Sequence, residues 1–139
     1  MDKALLDTDI FSEILKGIHP TVTARAAAYH AALGHYTTSL ITVLEIIKGY
    51  QKVQREDRIQ KFLSILPQVE LLTLDLSSAE TAGRILGDLE RTGQPIGRAD
   101  PMIAAIALRY DLVLVTGNTQ HYQRIQGLGY PLKLDNWKV

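Results

Sequence analysis

Residues 4–11 read ALLDTDIF, an apolar run that leads directly into a carboxylate, Asp7. The first three residues are typical of a short buried strand. Because an ionised carboxylate is costly to bury without a partner, Asp7 either caps the helix that follows or holds a metal ion. We expect that helix to cover residues 10–17, with Thr8 or Asp9 as its N-terminal cap.

Further apolar runs alternate with helical patterns along the rest of the chain. Four more strands are predicted, at 35–39, 69–74, 112–116 and 130–134. Helices are predicted at 21–34, 41–54, 55–66, 77–93, 100–110 and 118–126. Strands separated by helices, with helix pairs after the first two strands, indicate a mostly parallel sheet covered by helices on both faces. We therefore expect one α/β domain over residues 1–139, a three-layer α/β/α sandwich.

The composition limits the classes of protein to which the chain can belong. Of its 139 residues, 46% are hydrophobic and 22% are charged, and the formal net charge is zero. These values argue against a strongly basic nucleic-acid binder, although they allow a local basic patch. The absence of cysteine excludes disulfides, zinc–thiolate sites and cysteine nucleophiles. With no long apolar run and no signal-peptide pattern, we expect a cytoplasmic protein that does not contact membranes.

Three acidic residues stand in apolar surroundings: Asp7, Glu45 and Asp100. Asp7 ends the first strand, Glu45 lies early in the helix after the second strand, and Asp100 begins the helix that leads into the strand LVLVT. Because the carboxyl ends of parallel strands meet at one edge of a sheet, we expect the three carboxylates to converge there. They would repel one another unless a divalent cation lay among them, and oxygen-only ligands favour Mg²⁺ or Mn²⁺ over zinc.

Each of these acids also has a purely structural interpretation. Asp7 could cap the following helix, and Glu45 could bond a buried lysine or tyrosine. Asp100 and Pro101 form a good cap and first-turn pair, because aspartate accepts free amide hydrogens and proline lacks one. The shared position of the three acids at one edge of the sheet favours the metal-binding interpretation.

Other polar residues are expected around the same edge. Thr116 and Asn118 follow the strand LVLVT and could position a metal-bound water or a phosphate, although Asn118 could equally cap the next helix. Lys48 and Arg98 neighbour the acids in sequence and could contact substrate phosphates or form ion pairs with those acids.

Aromatic residues and histidines give weaker signals. Tyr110 and Tyr122 could stack on nucleic-acid bases, although tyrosines beside apolar strands usually belong to a core or an interface. Of the four histidines, only His121 is expected near the site, and the expected chemistry requires no histidine.

Four stretches together resemble the PIN-domain ribonucleases, and more narrowly the toxins of VapBC-type toxin–antitoxin pairs. They are LLDTDI at 5–10, TVLEIIKG at 42–49, GQPIGRADPMIAAIA at 93–107 and LVTGNTQHYQRIQGL at 114–128. LLDT is weak by itself, whereas PIGRADPMIAAIA placed just before an apolar strand that ends in T-x-N is specific. The resemblance runs in order over residues 5–137.

The resemblance implies a PIN-like fold with four or five parallel strands, and a Mg²⁺ or Mn²⁺ site built by Asp7, Glu45 and Asp100. Asp7 and Asp100 would be direct ligands, and Glu45 would hold a second metal position or orient the nucleophilic water. The implied activity is an endoribonuclease that hydrolyses structured RNA, such as transfer or ribosomal RNA, and leaves 5′-phosphate and 3′-hydroxyl ends. Many relatives carry an aspartate where this chain has Asn118, which bears on how many metal ions bind.

The resemblance also implies two kinds of protein partner. A small VapB-type antitoxin would lay an apolar segment into a groove between helices and could place a basic side chain in the acidic site. Toxins of this family commonly form homodimers, and residues 24–32 and 39–53 are candidate surfaces for that contact.

Two other functions fit parts of the sequence. DTD at 7–9 matches the D-x-D motif of haloacid-dehalogenase-type phosphatases, in which Asp7 would be the nucleophile and Asp9 the general acid. Asp100 stands alone, however, and the chain lacks the later lysine with paired acids that such an enzyme needs. The second alternative is a catalytically weak PIN-like scaffold that only binds protein, a function favoured by Asn118 alone.

Overall fold

One five-stranded sheet organises the computed structural model, which describes residues 1–139. Its strands are β1 (Ala4–Leu6), β2 (Thr37–Ser39), β3 (Glu70–Leu72), β4 (Val113–Val115) and β5 (Lys133–Asp135). All neighbouring strands are parallel, and their order is β3-β2-β1-β4-β5. The direction of strand order reverses between β1 and β4, which is where parallel α/β sheets usually bind ligands.

Seven helices connect these strands. They are α1 (Thr8–Lys16), α2 (Pro20–Leu33), α3 (Leu40–Lys52), α4 (Glu56–Ile65), α5 (Leu76–Arg91), α6 (Ala99–Arg109) and α7 (Thr119–Gly127). A 3₁₀ turn at Leu66–Gln68 follows α4. Helix pairs follow β1 and β2 as predicted, and α5 and α6, which were both predicted as helices, form a third pair after β3. No helix is both long enough and apolar enough to cross a membrane.

The sheet separates two hydrophobic cores, because successive residues of a strand point to opposite faces. Leu5 and Leu114 face one core, whereas Leu6 and Val115 face the other. Helices α5, α6 and α7 cover the first core with Ile85, Leu89, Ile103, Ile106, Tyr122 and Ile125. Helices α1 to α4 cover the second with Ile10, Phe11, Val22, Tyr29, Ile46 and Phe62. The predicted three-layer α/β/α sandwich with a parallel sheet is confirmed.

Two predicted helix caps are wrong. The N-cap of α1 is neither Thr8 nor Asp9 but Asp7, whose backbone is extended and whose side chain accepts a hydrogen bond from the Thr8 amide. The structural interpretation of Asp7 as a helix cap is therefore confirmed. Helix α6 begins at Ala99, which places Asp100 inside its first turn rather than at its cap. Asn118 does stand at the N-cap position of α7, but its side chain makes no capping hydrogen bond.

The last strand also differs from its prediction. It covers Lys133–Asp135 rather than residues 130–134. Pro131 has no amide hydrogen to donate to a ladder, so pairing with β4 begins only beyond it.

Candidate functional site

Asp7 occupies the centre of the sheet's carboxyl edge, with 4% of its surface exposed. Its amide donates to the carbonyl of Val115 over 2.9 Å, which fixes Asp7 beside the end of β4. Its Oδ1 accepts a hydrogen bond from the amide of Thr8 (2.8 Å). Its Oδ2 accepts from the hydroxyls of Thr116 (2.8 Å) and Tyr122 (3.1 Å). The protein therefore orients both carboxylate oxygens with its own donors.

Burial raises the pKa of Asp7 from an ordinary value of 3.8 to about 7. The negative charges of Asp9 and Asp100 contribute to this rise, whereas the hydrogen bonds from Thr116 and Thr8 oppose it. The pKa of Asp7 therefore lies near neutral pH, because the hydrogen-bond donors around the carboxylate do not offset its burial and the neighbouring acidic charges. A bound cation would remove that cost, because an adjacent positive charge favours the ionised carboxylate.

Asp100 lies in the first turn of α6 and is only partly exposed. Its Oδ2 accepts from Nδ2 of Asn118 (3.3 Å) and lies 2.9 Å from Nδ1 of His121. Burial, followed by the charges of Asp7 and Asp100, raises the pKa of Tyr122 well above its ordinary value. Both carboxylates therefore act on this one phenol, which donates a hydrogen bond to Asp7.

Glu45 lies on α3 and is linked to the site by a hydrogen bond from a threonine. Its Oε1 accepts a hydrogen bond of 2.6 Å from the hydroxyl of Thr8, the residue after Asp7. The same hydroxyl lies 3.0 Å from that of Thr42. The alternative in which Glu45 bonds a buried lysine or tyrosine is not observed.

The predicted acids thus share one edge of the sheet but do not meet at one point. Asp7 and Asp100 both act on Tyr122, whereas Glu45 is turned toward Thr8. No three Asp, Glu or His side chains are arranged to hold a single metal ion between them. The expectation that three carboxylates converge directly is wrong for this side-chain arrangement.

The donor chemistry nevertheless suits a hard divalent cation. Oδ1 of Asp9 is buried without any hydrogen-bond partner, which leaves an acceptor unsatisfied beside Asp7. Asp9 and Asp100 both disfavour ionisation of Asp7. Carboxylate oxygens are the ligands that Mg²⁺ and Mn²⁺ prefer, so the residues present fit such an ion after side-chain reorientation.

Several residues around this centre make contacts that were not predicted from the sequence, and Tyr122 is buried, so its predicted role in base stacking is wrong. Asp9 accepts from the amide of Gly117 and from the ammonium of Lys138. His121 and Tyr122 reach the acids from α7. Their spacing of three and four residues from Asn118 was an available signal, because such residues share one face of a helix. The approach of Lys138 had no local signal, since it depends on the path of the chain after β5.

The remaining predicted residues lie outside this centre. Lys48 and Arg98 are exposed and form no ion pair, so the alternative in which they neutralise the neighbouring acids is not observed. Tyr110 follows the end of α6, ten residues or about 15 Å of helical rise from Asp100. Its ring stacks under Arg109 at 5.2 Å, which argues against a role in base stacking at the site.

Comparisons with known proteins identify the family to which the chain belongs. The profile of the PIN domain family matches residues 4–127. A tRNA(fMet)-specific endonuclease VapC of Shigella flexneri is 33% identical over 132 residues, covering 92% of this chain and 96% of that protein. The protein of the same name from Salmonella typhimurium is 30% identical and covers 99% of both chains.

Solved structures show the same fold. DNA-bound VapBC from Salmonella typhimurium contains a chain that superposes with a TM-score of 0.80, at 29% identity and 99% coverage of both chains. VapBC-1 from nontypeable Haemophilus influenzae gives a TM-score of 0.79, at 28% identity and 98% coverage of both. Because the family profile matches residues 4–127 and relatives at least 30% identical are covered almost completely, the chain belongs to the PIN-domain family and, within it, to the VapC ribonucleases.

Proposed function

We propose that this chain is the toxin of a VapBC-type pair and a cytoplasmic, Mg²⁺- or Mn²⁺-dependent endoribonuclease, folded as one PIN domain over residues 1–139. The observation that carries the proposal is the buried carboxylate of Asp7 at the reversal of strand order, with Asp100 close enough to raise its pKa. The named activity of the Shigella and Salmonella relatives supports initiator transfer RNA as the substrate.

The two alternative functions, a haloacid-dehalogenase-type phosphatase and a protein-binding scaffold, are not favoured. Asp9 would be the general acid of a phosphatase, but its accessible oxygen is bonded to Gly117 and Lys138. A scaffold without catalysis would not require a buried aspartate whose pKa is raised by burial and by neighbouring acids. The curated relatives are also named as ribonucleases or endonucleases.

In the proposed mechanism, Asp7 and Asp100 would hold the cation. Glu45 would hold a second metal position or orient the nucleophilic water. When bound, the cation supplies an activated water and neutralises charge on the transferring phosphoryl group. Thr116 and Tyr122 keep Asp7 in one orientation, because both hydroxyls donate to its Oδ2.

The other polar residues orient the second carboxylate and the substrate. Asn118 donates to Asp100, which restricts the rotation of that carboxylate. Glu45 is held by Thr8 at the rim, where it can accept a proton from the attacking water. Lys48 and Arg98 are exposed and unpaired, and we assign them to contacts with the RNA backbone.

We assign the antitoxin to a cleft of about 400 Å³ between α1, α3 and α4. Its apolar residues are Leu15, Phe62 and Ile65, and its basic residues are Lys16, Arg55, Arg58 and Lys61. Arg55 is paired with Asp57 and Lys16 with Glu13, whereas Arg58 and Lys61 have no acidic partner. The cleft therefore suits a segment that carries both apolar and acidic side chains.

We assign homodimerisation to α3 rather than to the Ala-rich face of α2. Leu40 and Leu44 lie one turn apart on α3 and are 42% and 61% exposed. Large aliphatic side chains at helical spacing offer more apolar area for burial than the alanines at 24–32.

Cleavage of total cellular RNA by the purified protein tests this function. Samples contain Mg²⁺, Mn²⁺ or a chelator, and the protein is first shown to be free of copurified antitoxin. We expect discrete fragments that disappear with the chelator and with Asp7→Asn, but persist with Glu80→Gln, an exposed control on α5. Identical RNA patterns with and without the protein would contradict the assignment.

A further inference from the structure

The loop Thr116–Asn118, which directly follows β4, supplies two polar side chains to the acidic site. Thr116 donates to Asp7, and Asn118 donates to Asp100. The backbone amide of Asn118 in turn donates to the hydroxyl of Thr116 over 2.9 Å. The position of this short loop therefore sets the orientation of both carboxylates.

Asp9 and Lys138 hold the middle residue of that loop. The amide of Gly117 donates to Oδ2 of Asp9 over 2.9 Å, and Nζ of Lys138 lies 3.3 Å from the same oxygen. A Cβ atom on Gly117 would lie 2.6 Å from Oδ2 of Asp9 and 2.7 Å from Cδ of Lys138. Both side chains thus lie directly on the glycine, and no larger residue fits without displacing them.

Lys138 reaches this position because the segment before it is fixed. The guanidinium of Arg25 on α2 donates to the carbonyl of Asn136 (2.8 Å) and pairs with Asp135 (3.3 Å). The buried ring of Trp137 lies 5.5 Å from that of Tyr29. These contacts hold the chain after β5 across the carboxyl edge of the sheet.

We propose that Asp9 and Lys138 are positioning residues for the nuclease reaction, acting through the amide of Gly117. The carboxylate of Asp9 fixes the loop, and the ammonium of Lys138 keeps Oδ2 of that carboxylate on the Gly117 amide. Neither residue touches the reacting atoms. The kinetic part of this inference rests on the proposed function, whereas the contact with Gly117 does not.

Four variants separate the contributions of charge and hydrogen bonding. Asp9→Ala removes the acceptor for the Gly117 amide, and Asp9→Asn retains an acceptor oxygen without the charge. Lys138→Met removes the charge but keeps an apolar stem over the glycine, and Lys138→Arg restores the charge. Thermal melts identify any variant that fails to fold, and Glu80→Ala is the matched surface control.

Amide hydrogen exchange at Gly117, read by NMR on the intact protein, is the primary measurement. We expect Asp9→Ala to accelerate it about tenfold or more, as for the loss of a charge-assisted hydrogen bond. Lys138→Met should accelerate it less, whereas Asp9→Asn and Lys138→Arg should stay near wild type. With RNA, kcat should fall about tenfold for Asp9→Ala while KM changes less than about twofold, as expected for lost positioning rather than lost binding.

Mn²⁺ binding measured by calorimetry separates this role from metal ligation. We expect Asp9→Asn to bind Mn²⁺ within about threefold of wild type, whereas Asp7→Asn binds it far more weakly. Unchanged exchange at Gly117 in Asp9→Ala, or equal loss of Mn²⁺ affinity in Asp9→Asn and Asp7→Asn, would overturn the proposal. If the exchange pattern appears but the wild-type protein cuts no RNA, the loop contact stands and the nuclease assignment fails.

Discussion

The hydroxyl of Tyr122 donates a hydrogen bond of 3.1 Å to Oδ2 of Asp7, and both side chains are buried. This contact joins α7 to the end of β1, two elements separated by more than a hundred residues. It also places a neutral donor on Asp7, close enough to Asp100 that the charges of both carboxylates raise the pKa of the phenol. Tyr122 is therefore part of the site's electrostatics as well as of the core.

Tyr122→Phe tests that contact with the smallest possible change. Loss of the hydroxyl leaves Asp7 with one hydroxyl donor, Thr116, and should reduce kcat/KM about tenfold while destabilising the fold by about 1 kcal/mol. Steady-state cleavage kinetics and denaturant unfolding measure the two effects. A variant with the wild-type rate would show that this hydroxyl is not needed to orient Asp7.

The raised pKa of Asp7 predicts a pH-dependent stability. An acid whose pKa rises from 3.8 to about 7 on folding binds its proton more tightly in the folded state. The contribution of Asp7 to the free energy of unfolding of the metal-free protein therefore falls as pH rises from about 4 to about 7, and then levels off. Asp7→Asn should stabilise the metal-free protein by about 1–3 kcal/mol at pH 8.

The comparison of wild type with Asp7→Asn at several pH values isolates this effect from that of the other acids. The stabilisation by the variant should shrink at about pH 5, where Asp7 is already protonated. A difference between the two proteins that does not depend on pH would mean that the pKa of Asp7 is not raised.

Thr116→Val tests the link between β4 and the two acids. Valine has nearly the same shape but removes the donor to Asp7 and the acceptor for the amide of Asn118. We expect a destabilisation of about 1–2 kcal/mol, because the buried carboxylate of Asp7 loses one of its two hydroxyl donors and the backbone amide of Asn118 loses its acceptor. Thr23→Val, on the exposed side of α2, is the matched control and should change stability by less than about 0.5 kcal/mol.

Arg98→Ala tests the assignment of this residue to the RNA backbone. Because Arg98 is exposed and unpaired, its loss should leave the fold unchanged and raise KM for RNA several-fold. The salt dependence of binding, plotted as log K against log salt concentration, should lose about one unit of slope for one lost phosphate contact. An unchanged slope would place Arg98 outside the substrate path.

Charge reversal in the cleft between α1, α3 and α4 tests the antitoxin assignment. Arg58→Glu combined with Lys61→Glu should weaken antitoxin binding at least tenfold and leave RNA cleavage by the free toxin unchanged. Arg84→Glu on α5 lies outside the cleft and serves as the control. Equal antitoxin affinity for both variants would move the partner to another surface.

Much of the fold was predictable because local patterns determine it. ALL at 4–6 and LVLVT at 112–116 are buried on both sides, and such continuous apolar runs are typical of parallel strands. The bounds of β5 were less predictable because pairing begins only after Pro131. The helix caps were misplaced because several polar residues near each helix start could serve equally well.

The site was predictable only in outline. The position of Asp7 and Asp100 at one edge follows from the topology of a parallel sheet. Asp9 lies near them because it is only two residues from Asp7 in the sequence. The turn of Glu45 toward Thr8 depends on side-chain packing between α1 and α3. The contact of Lys138 with Asp9 joins residues at distant positions along the chain, and no local pattern encodes it.

The most direct test of the central claim is the rate at which the protein cuts end-labelled initiator transfer RNA in Mg²⁺ or Mn²⁺. Wild type, Asp7→Asn and Glu80→Gln would be compared at equal concentration, after thermal melts confirm that all three are folded. We expect wild type and Glu80→Gln to cut at the same position and rate, and Asp7→Asn to be at least about a hundredfold slower. Cleavage by Asp7→Asn at the wild-type rate would contradict the claim that Asp7 is the centre of the nuclease site.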